Sequence, residues 1–404
     1  MLRTNAWGRG GDAPLDAEQM LAAALKRAHR EDFADRSFVP PLRRLVDSCN
    51  AESDLNALGR QAVRFEVRRS LNNLLQFEAA ESAAPARFDR PIERPLFITG
   101  MPRSGSTFLH RLLVQDPAIA APLSRQLVYP YPSPLRAAGS LLRTLSVYSQ
   151  FAVMRLLAPE LNRLHEVSPG APEECTDITA QVFQSLRYDS VYRVPSYQSW
   201  LQRHGHLEAY RFHRRFLQHL DAESPGRRWV LKSPDHVFAL EEIRAVYPDA
   251  RWVFIHRDPV PVLASVAKLT EVLRRPFAHH VHGEEIGRQV LGSWLDGAER
   301  MLRLRNEGPT HLHVQYREIL ANPLEVARRV LHHAGLALGP EAERRMRAWL
   351  GNRSNRRHKA GSYQLADFGL KPEALRSQFR SYTEAFGVEL EWRSPARAAR
   401  AHAA

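Results

Sequence analysis

Lysine is scarce in this chain: of its 57 basic residues only five are lysine and 52 are arginine. The imbalance fits a GC-rich coding sequence in which arginine serves wherever a surface cation is needed, so a lysine inside a motif stands out. Cysteine is scarcer still. Cys49 and Cys175 lie far apart and neither has a partner at metal-ligand spacing, which excludes a disulfide scaffold or a zinc ribbon and predicts two buried thiols. Long apolar runs are missing too. The opening MLRTNAWGRGGDAP has no apolar h-region and does not read as a secretory signal. SLLRTLSVYSQFAVMRLLAP, from Ser140, is broken by Arg143 and Arg155, too costly for a spanning helix but suited to a core or interfacial one. A cytoplasmic protein is expected, with peripheral membrane association left open. Acid is in deficit, and the net charge of +13 favours anionic partners such as a polyphosphorylated cofactor or a membrane surface. The arginines are spread along the chain and no zinc finger, RNA-recognition motif or basic zipper is visible, so no nucleic acid is expected. AHHVHG, with His279, His280 and His282, lacks an accompanying Cys or acid and reads as a loop.

The 404 residues permit two or three domains, and a single α/β domain with an attached helical region also fits. Residues 1–14 are expected to be a flexible tail, 15–90 a helical region, and 91–390 an α/β domain with a helical insertion over about 117–225. Ala17 to Phe77 predicts two or three helices interrupted by Pro40 and Pro41. Later, strands alternate with helices: a strand over Trp229–Leu231, a helix over Asp235–Tyr247, a strand over Arg251–His256 and a helix over Pro259–Leu269. HLHVQY then predicts a strand before ANPLEVARRVLHHAGL, where Asn322 caps, Pro323 takes the first helical position and Glu325 completes a capping box. Such alternation predicts a parallel sheet with its ligand at the C-terminal ends of the strands.

FITGMPRSGSTFLHRLL, from Phe97, is strand, small-residue loop, helix. Successive backbone N–H groups in a loop that wraps into a helix N-terminus converge on one centre, where the helix dipole also favours negative charge. Gly100, Ser104, Gly105 and Ser106 leave room for close approach, and the hydroxyls of Ser104, Ser106 and Thr107 can donate to an anion. Gly100 and Gly105 have the spacing of the nucleoside-triphosphate P-loop, but Ser106 stands where that loop has lysine, and the nearby cation is Arg103. The missing lysine counts against a kinase or ATPase.

Three more segments matter. RWVLKSPDH places Lys232 at a strand end, VFIHRDPVPVLASV places Arg257 at the next strand end with Ser265 on the following helix, and NRRHKAGSYQLADFGL lies near the C-terminus. With GMPRSGST these segments resemble the sulfotransferases that use 3′-phosphoadenosine 5′-phosphosulfate (PAPS), over roughly Pro95 to Leu370. The resemblance implies a P-loop-like three-layer α/β fold, with a central parallel sheet and an N-terminal helical region. It implies that Arg103, Ser104, Gly105, Ser106 and Thr107 cradle the 5′-phosphosulfate, and that Arg257 and Ser265 grip the 3′-phosphate. VQYREILANPLEVARRVLHHAGL is similar to the family's Y-x-x-L…P segment and YQLADFGL to its YSLEDFGL. Where the family often has His-x-Tyr, Gly361 stands two before Tyr363 and the nearest histidine is His358. Lys359 and Tyr363 suit the phosphate and the adenine by their side-chain chemistry.

Sulfuryl transfer, like phosphoryl transfer, is an in-line displacement governed by positioning and electrostatics, and needs no metal. Charge gathers on the bridging oxygen of the departing 3′,5′-ADP, where Lys232 or Arg103 can meet it. The acceptor hydroxyl must lose a proton, and members of this bacterial type often carry P-x-E-x, matched here by APEECTDI. Glu174 is the first choice of base, Glu173 the second, and His236 competes because imidazole titrates near neutrality. The acceptor is expected to be a small molecule, lipid or glycan; Tyr129, Tyr131, Tyr148, Phe151 and Phe183 favour a lipid, polyketide or aromatic alcohol over a bare sugar. A nucleotide-dependent kinase and a catalytically silent nucleotide binder are the competing readings.

Overall fold

The computed structural model describes residues 13–131, 139–161, 168–222, 226–305, 308–352 and 364–391. Its centre is a five-stranded, wholly parallel sheet of β1 (Leu96–Gly100), β2 (Ile119–Ala120), β3 (Arg228–Lys232), β4 (Arg251–His256) and β5 (His311–Gln315), in the order β2-β3-β1-β4-β5. LFITG is buried at every position because β1 lies mid-sheet with helices on both faces, which is why it reads as an apolar run instead of alternating. Its register pairs Ile98 with Lys232 on one side and Gly100 with Ile255 on the other, so these groups share one edge of the sheet.

The two faces feed two cores. Leu96, Ile98, Val230, Val253 and Ile255 pack with Leu109 and Leu112 of α4 (Ser106–Leu113) and with the helix Pro323–His333. Phe97, Leu231, Trp252 and Phe254 join the larger core, which also takes in α1 (Ala17–Ala28), α2 (Val39–Glu52) and α3 (Ala57–Ala83). Helices, sheet, helices: this is the expected three-layer arrangement. The N-terminal helices share their core with the sheet. Pro40 and Pro41 start α2 instead of interrupting a helix, since a first helical turn needs no donor from them. α3 runs past Phe77, capped at its start by the Asn56 side chain, which accepts from Gly59 N at 2.8 Å.

Local differences follow from tertiary contacts. β2 falls inside the segment expected to be helical; two residues long, it forms because Ile119 and Ala120 pair with Arg228 and Trp229. The expected helix over Asp235–Tyr247 is a 3₁₀ turn, Pro234–Ala239, followed by a helix over Leu240–Val246. Ser233 Oγ accepts from Asp235 N at 3.1 Å and fixes that tighter start. The helix after β4 continues beyond Leu269 to Arg274, capped by Asp258, whose Oδ1 accepts from Val260 N at 3.0 Å. Asn322 caps its helix as expected, while the Glu325 carboxylate pairs with Arg328. Both cysteines are free and buried, and burial pushes the Cys49 thiol up to about 12. No described helix is long and apolar enough to cross a membrane.

Candidate active site

The loop between β1 and α4 is held by backbone geometry only certain residues tolerate. Gly100 has φ +123°, and a Cβ there would meet the Ile255 carbonyl oxygen at 2.3 Å, so the β1–β4 approach requires glycine. Gly105, at φ +84°, caps α4 with the Tyr316 ring beside it, 3.1 Å from where a Cβ would be. Arg103 itself sits in the left-handed region at φ 58°. Ser104 is fully buried and its Oγ donates to the Met101 carbonyl at 2.5 Å, so this hydroxyl ties the loop together instead of pointing into the cleft. Ser106 and Thr107 line the cleft at the start of α4.

Lys232 ends β3 and is wholly buried along its stem. Its Nζ donates to Glu174 Oε1 at 2.6 Å and to Thr107 Oγ1 at 3.2 Å. The acidic segment is clamped there by its backbone: Glu173 N donates to Pro122 O and Cys175 N to Lys232 O, each at 3.0 Å. Glu173 is turned inward; Oε1 accepts from Glu174 N at 3.1 Å and Oε2 from Ser124 Oγ at 3.5 Å. Beside them Asp235 Oδ2 accepts from Thr176 Oγ1 at 3.1 Å. Burial, and then the Glu174 charge, push the Asp235 carboxyl up to about 7.

A second cationic group lies at the end of β4. Arg257 stacks its guanidinium 3.9 Å over the Tyr316 ring. Its Nε and Nη2 donate to both oxygens of Glu391, at 2.7 and 2.8 Å, and its Nη1 donates to the Arg103 carbonyl. The Arg103 side chain turns the same way, Nε donating to Ser265 Oγ at 3.2 Å. Arg103, Arg257 and Ser265, scattered in sequence, are thus one cluster, with Lys232 and Thr107 forming another. Both open on a single cavity of about 1350 Å³. The Arg257 fork gives its two donors to the two oxygens of one carboxylate, a geometry that also suits two oxygens of a phosphate.

Residues 95–340 match the Sulfotransferase family. The chain belongs to the sulfotransferase family. This sulfotransferase is similar to omega-hydroxy-beta-dihydromenaquinone-9 sulfotransferase Stf3 of Mycobacterium bovis, at 26% identity over 67% of this chain and 70% of that one. Among solved structures it is similar to sulfotransferase STF9 of Mycobacterium avium, with 31% identity, a TM-score of 0.85 and coverage of 96% of this chain and all of that one. Sulfotransferase STF1 of Mycobacterium tuberculosis gives 31% identity, a TM-score of 0.79 and coverage of 91% and 99%.

Of the residues singled out in the sequence of this sulfotransferase, Arg103, Gly105, Ser106, Thr107, Glu173, Glu174, Arg257 and Ser265 line the one cavity, and Lys232 meets it through its ammonium contacts. Ser104 does not reach it with its side chain. His236 is not brought to it either: it is fully buried against Phe97, Tyr210 OH bonds its Nδ1 at 2.7 Å, and burial holds its imidazole well below the usual value. Lys359 and Tyr363 lie outside the described residues. Of the aromatic residues picked for an acceptor site, Phe151 lines the cavity while Phe183 is core. Three contributors went unseen. Tyr316 had a signal, the tyrosine of Y-x-x-L; Asp235 follows Lys232 in KSPDH; Glu391 had none. Among the described residues no group of three or more His, Cys, Asp and Glu is placed to hold a metal ion.

Proposed function

We propose that the sulfotransferase takes its sulfuryl group from PAPS and passes it to a hydroxyl on a long apolar, lipid-like acceptor. The observation that carries this reading is the Lys232 ammonium, set between the Glu174 carboxylate and the Thr107 hydroxyl at the head of the loop. With PAPS bound, the loop amides, Ser106 and Thr107 hold the 5′-phosphosulfate, while Arg257, Arg103 and Ser265 hold the 3′-phosphate in place of Glu391. Lys232 turns from Glu174 towards the bridging oxygen. The acceptor oxygen then forms its bond to sulfur as the bond from sulfur to the 5′-phosphate oxygen breaks, and the hydroxyl proton passes to Glu174. A cation aimed at the leaving oxygen acts mostly in the transition state, so it raises kcat more than affinity. His236 takes no part in this scheme and Glu173 positions Glu174.

The acceptor reading rests on the cavity. Drug-sized pockets run to about 1,000 Å³, and this one, at about 1350 Å³, has apolar walls from Leu127, Phe151, Met154, Phe238, Phe277 and Trp294 beyond the polar clusters. A nucleotide at the loop leaves that apolar part for a second, greasy molecule. The mycobacterial relative named for a hydroxylated dihydromenaquinone supports the same class.

The test is transfer from ³⁵S-labelled PAPS into a membrane-lipid extract, with γ-labelled ATP and magnesium in parallel. Label from PAPS in an organic-soluble sulfate ester, and none from ATP, is expected. Glu174→Gln and Lys232→Met should each lower kcat about a hundredfold or more with 3′,5′-ADP binding retained. Cofactor binding without any labelled product would favour the silent binder, and label from ATP the kinase.

A further inference from the structure

The helix Gly139–Leu157 is turned inside out. Val147 is fully buried and Arg143 nearly so, yet Leu141, Leu145, Tyr148 and Leu156 stand 62, 53, 50 and 81% exposed. With Ala152 these positions recur at steps of three and four, which puts them on one face of the helix. Single exposed leucines are ordinary, but a continuous apolar stripe on a surface marks an interaction site. The stripe adjoins the cavity. Phe151, Met154 and Leu157 of the same helix line it, and Val153 both lines it and is 53% exposed. Leu58 and Phe65 of α3 also line the cavity while exposed.

Charge chooses the occupant. No Asp or Glu occurs between Asp116 and Glu160, while Arg125, Arg136, Arg143 and Arg155 fall in that stretch. A helix with leucines outward in an acid-free segment of a chain at +13 is matched to an anionic lipid surface, where the apolar face enters the headgroup boundary and the exposed Arg155 faces the phosphates, while the buried Arg143 donates to the Tyr129 and Pro130 carbonyls and anchors the helix from within. A second copy of this chain, itself at +13, would bring a like-charged face to the same place.

We infer that the outward face of the helix Gly139–Leu157 docks the protein on an anionic membrane and sets the cavity mouth against it, so that the acceptor enters directly from the lipid phase. This rests on the lipid-acceptor reading and extends it to a partner surface. The acceptor's chain then never crosses water, and the polar clusters at the cavity floor meet only its hydroxylated end.

The experiment is co-sedimentation of the full chain with phosphatidylcholine vesicles, with and without phosphatidylglycerol. It is repeated for Leu141→Glu/Leu145→Glu/Leu156→Glu, with calorimetric 3′,5′-ADP binding and light-scattering mass measured on both proteins. Expected is binding that requires phosphatidylglycerol, weakens with salt and drops at least tenfold in the triple variant, with 3′,5′-ADP affinity unchanged. None of the three leucines lines the cavity, so intact 3′,5′-ADP binding certifies a folded variant. Equal vesicle binding by both proteins, or none by either, overturns the proposal. So does a wild-type dimer that the triple variant splits. A protein that binds 3′,5′-ADP but not vesicles leaves the enzymatic reading standing without the docking face; the reverse result leaves the docking face and removes PAPS.

Discussion

The Arg257 fork donates to both oxygens of Glu391, and Glu391 N in turn donates to Asp258 Oδ2 at 2.7 Å, so the carboxylate is held in place from behind. A 3′-phosphate taken up by Arg257, as proposed, would have to displace it. Glu391→Gln removes the competing charge and should tighten 3′,5′-ADP a few fold, on the order of the 1 kcal/mol that a partly exposed pair is worth; titration calorimetry showing unchanged or weaker binding would refute the displacement. Asp235 gives a pH signature. Its carboxyl is raised to about 7 in the folded protein from a usual value of 3.8, chiefly by burial. The folded state therefore holds a proton that the unfolded chain has released between those pH values, and the carboxyl's contribution to stability falls as pH rises through that window. Asn mimics the protonated form, so the Tm of Asp235→Asn relative to wild type should climb from pH 5 to pH 8; a constant difference would refute the shift. Glu391 had no signal in the sequence, and the position of Asp235 in KSPDH gave no sign of its raised carboxyl. Burial raises Asp235 and chain folding brings Glu391 to Arg257 across 134 positions, and neither cause is local. His236 shows the converse: its chemistry suits a base, but its burial in the core was invisible in the sequence.

The segment from β1 through the loop to α4 was legible because glycine and serine there answer to backbone demands. Gly100 is the sharpest case, with both a positive φ and a neighbouring carbonyl oxygen where a Cβ would stand. Gly100→Ala should cost at least about 2 kcal/mol, combining strain and a steric clash. Gly226, at φ +85° with nothing within 4 Å, supplies the comparison: Gly226→Ala carries only the conformational cost, about 1 kcal/mol. Urea midpoints decide it, and equal losses would mean that the β1–β4 approach relaxes freely. The strands β3, β4 and β5 were legible from their alternation with helices, and Arg143 and Arg155 marked the segment from Ser140 as a core or interfacial helix rather than a spanning one. β2 was not legible, since two residues carry no periodicity and owe their conformation to β3. The 3₁₀ turn after Lys232 is indistinguishable from ordinary helix in the sequence for a similar reason: proline is welcome at the start of either.

Folding gathers into one cavity groups that the sequence keeps far apart: Lys232 and Glu174 are 58 positions apart, and Arg257 touches the carbonyl of Arg103 over 154. The sequence resemblance grouped these residues by role, and the charge on the leaving group left Lys232 and Arg103 as alternative partners for it. The structure turns Arg103 towards Ser265, and the proposed anion-binding surface becomes two clusters, with Tyr316 packing near Gly105 and under Arg257. Such a surface suits a ligand with phosphate at both ends of a ribose and suits a singly phosphorylated one poorly. The decisive measurement is therefore titration calorimetry of the wild type and Arg257→Ala with 3′,5′-ADP and with 5′-AMP, which lacks only the 3′-phosphate. The wild type should prefer 3′,5′-ADP by about tenfold or more, the worth of a charge-assisted bidentate contact, and Arg257→Ala should erase that preference while leaving 5′-AMP binding nearly unchanged. Equal affinities in the wild type, or equal losses for both ligands in the variant, would contradict the account.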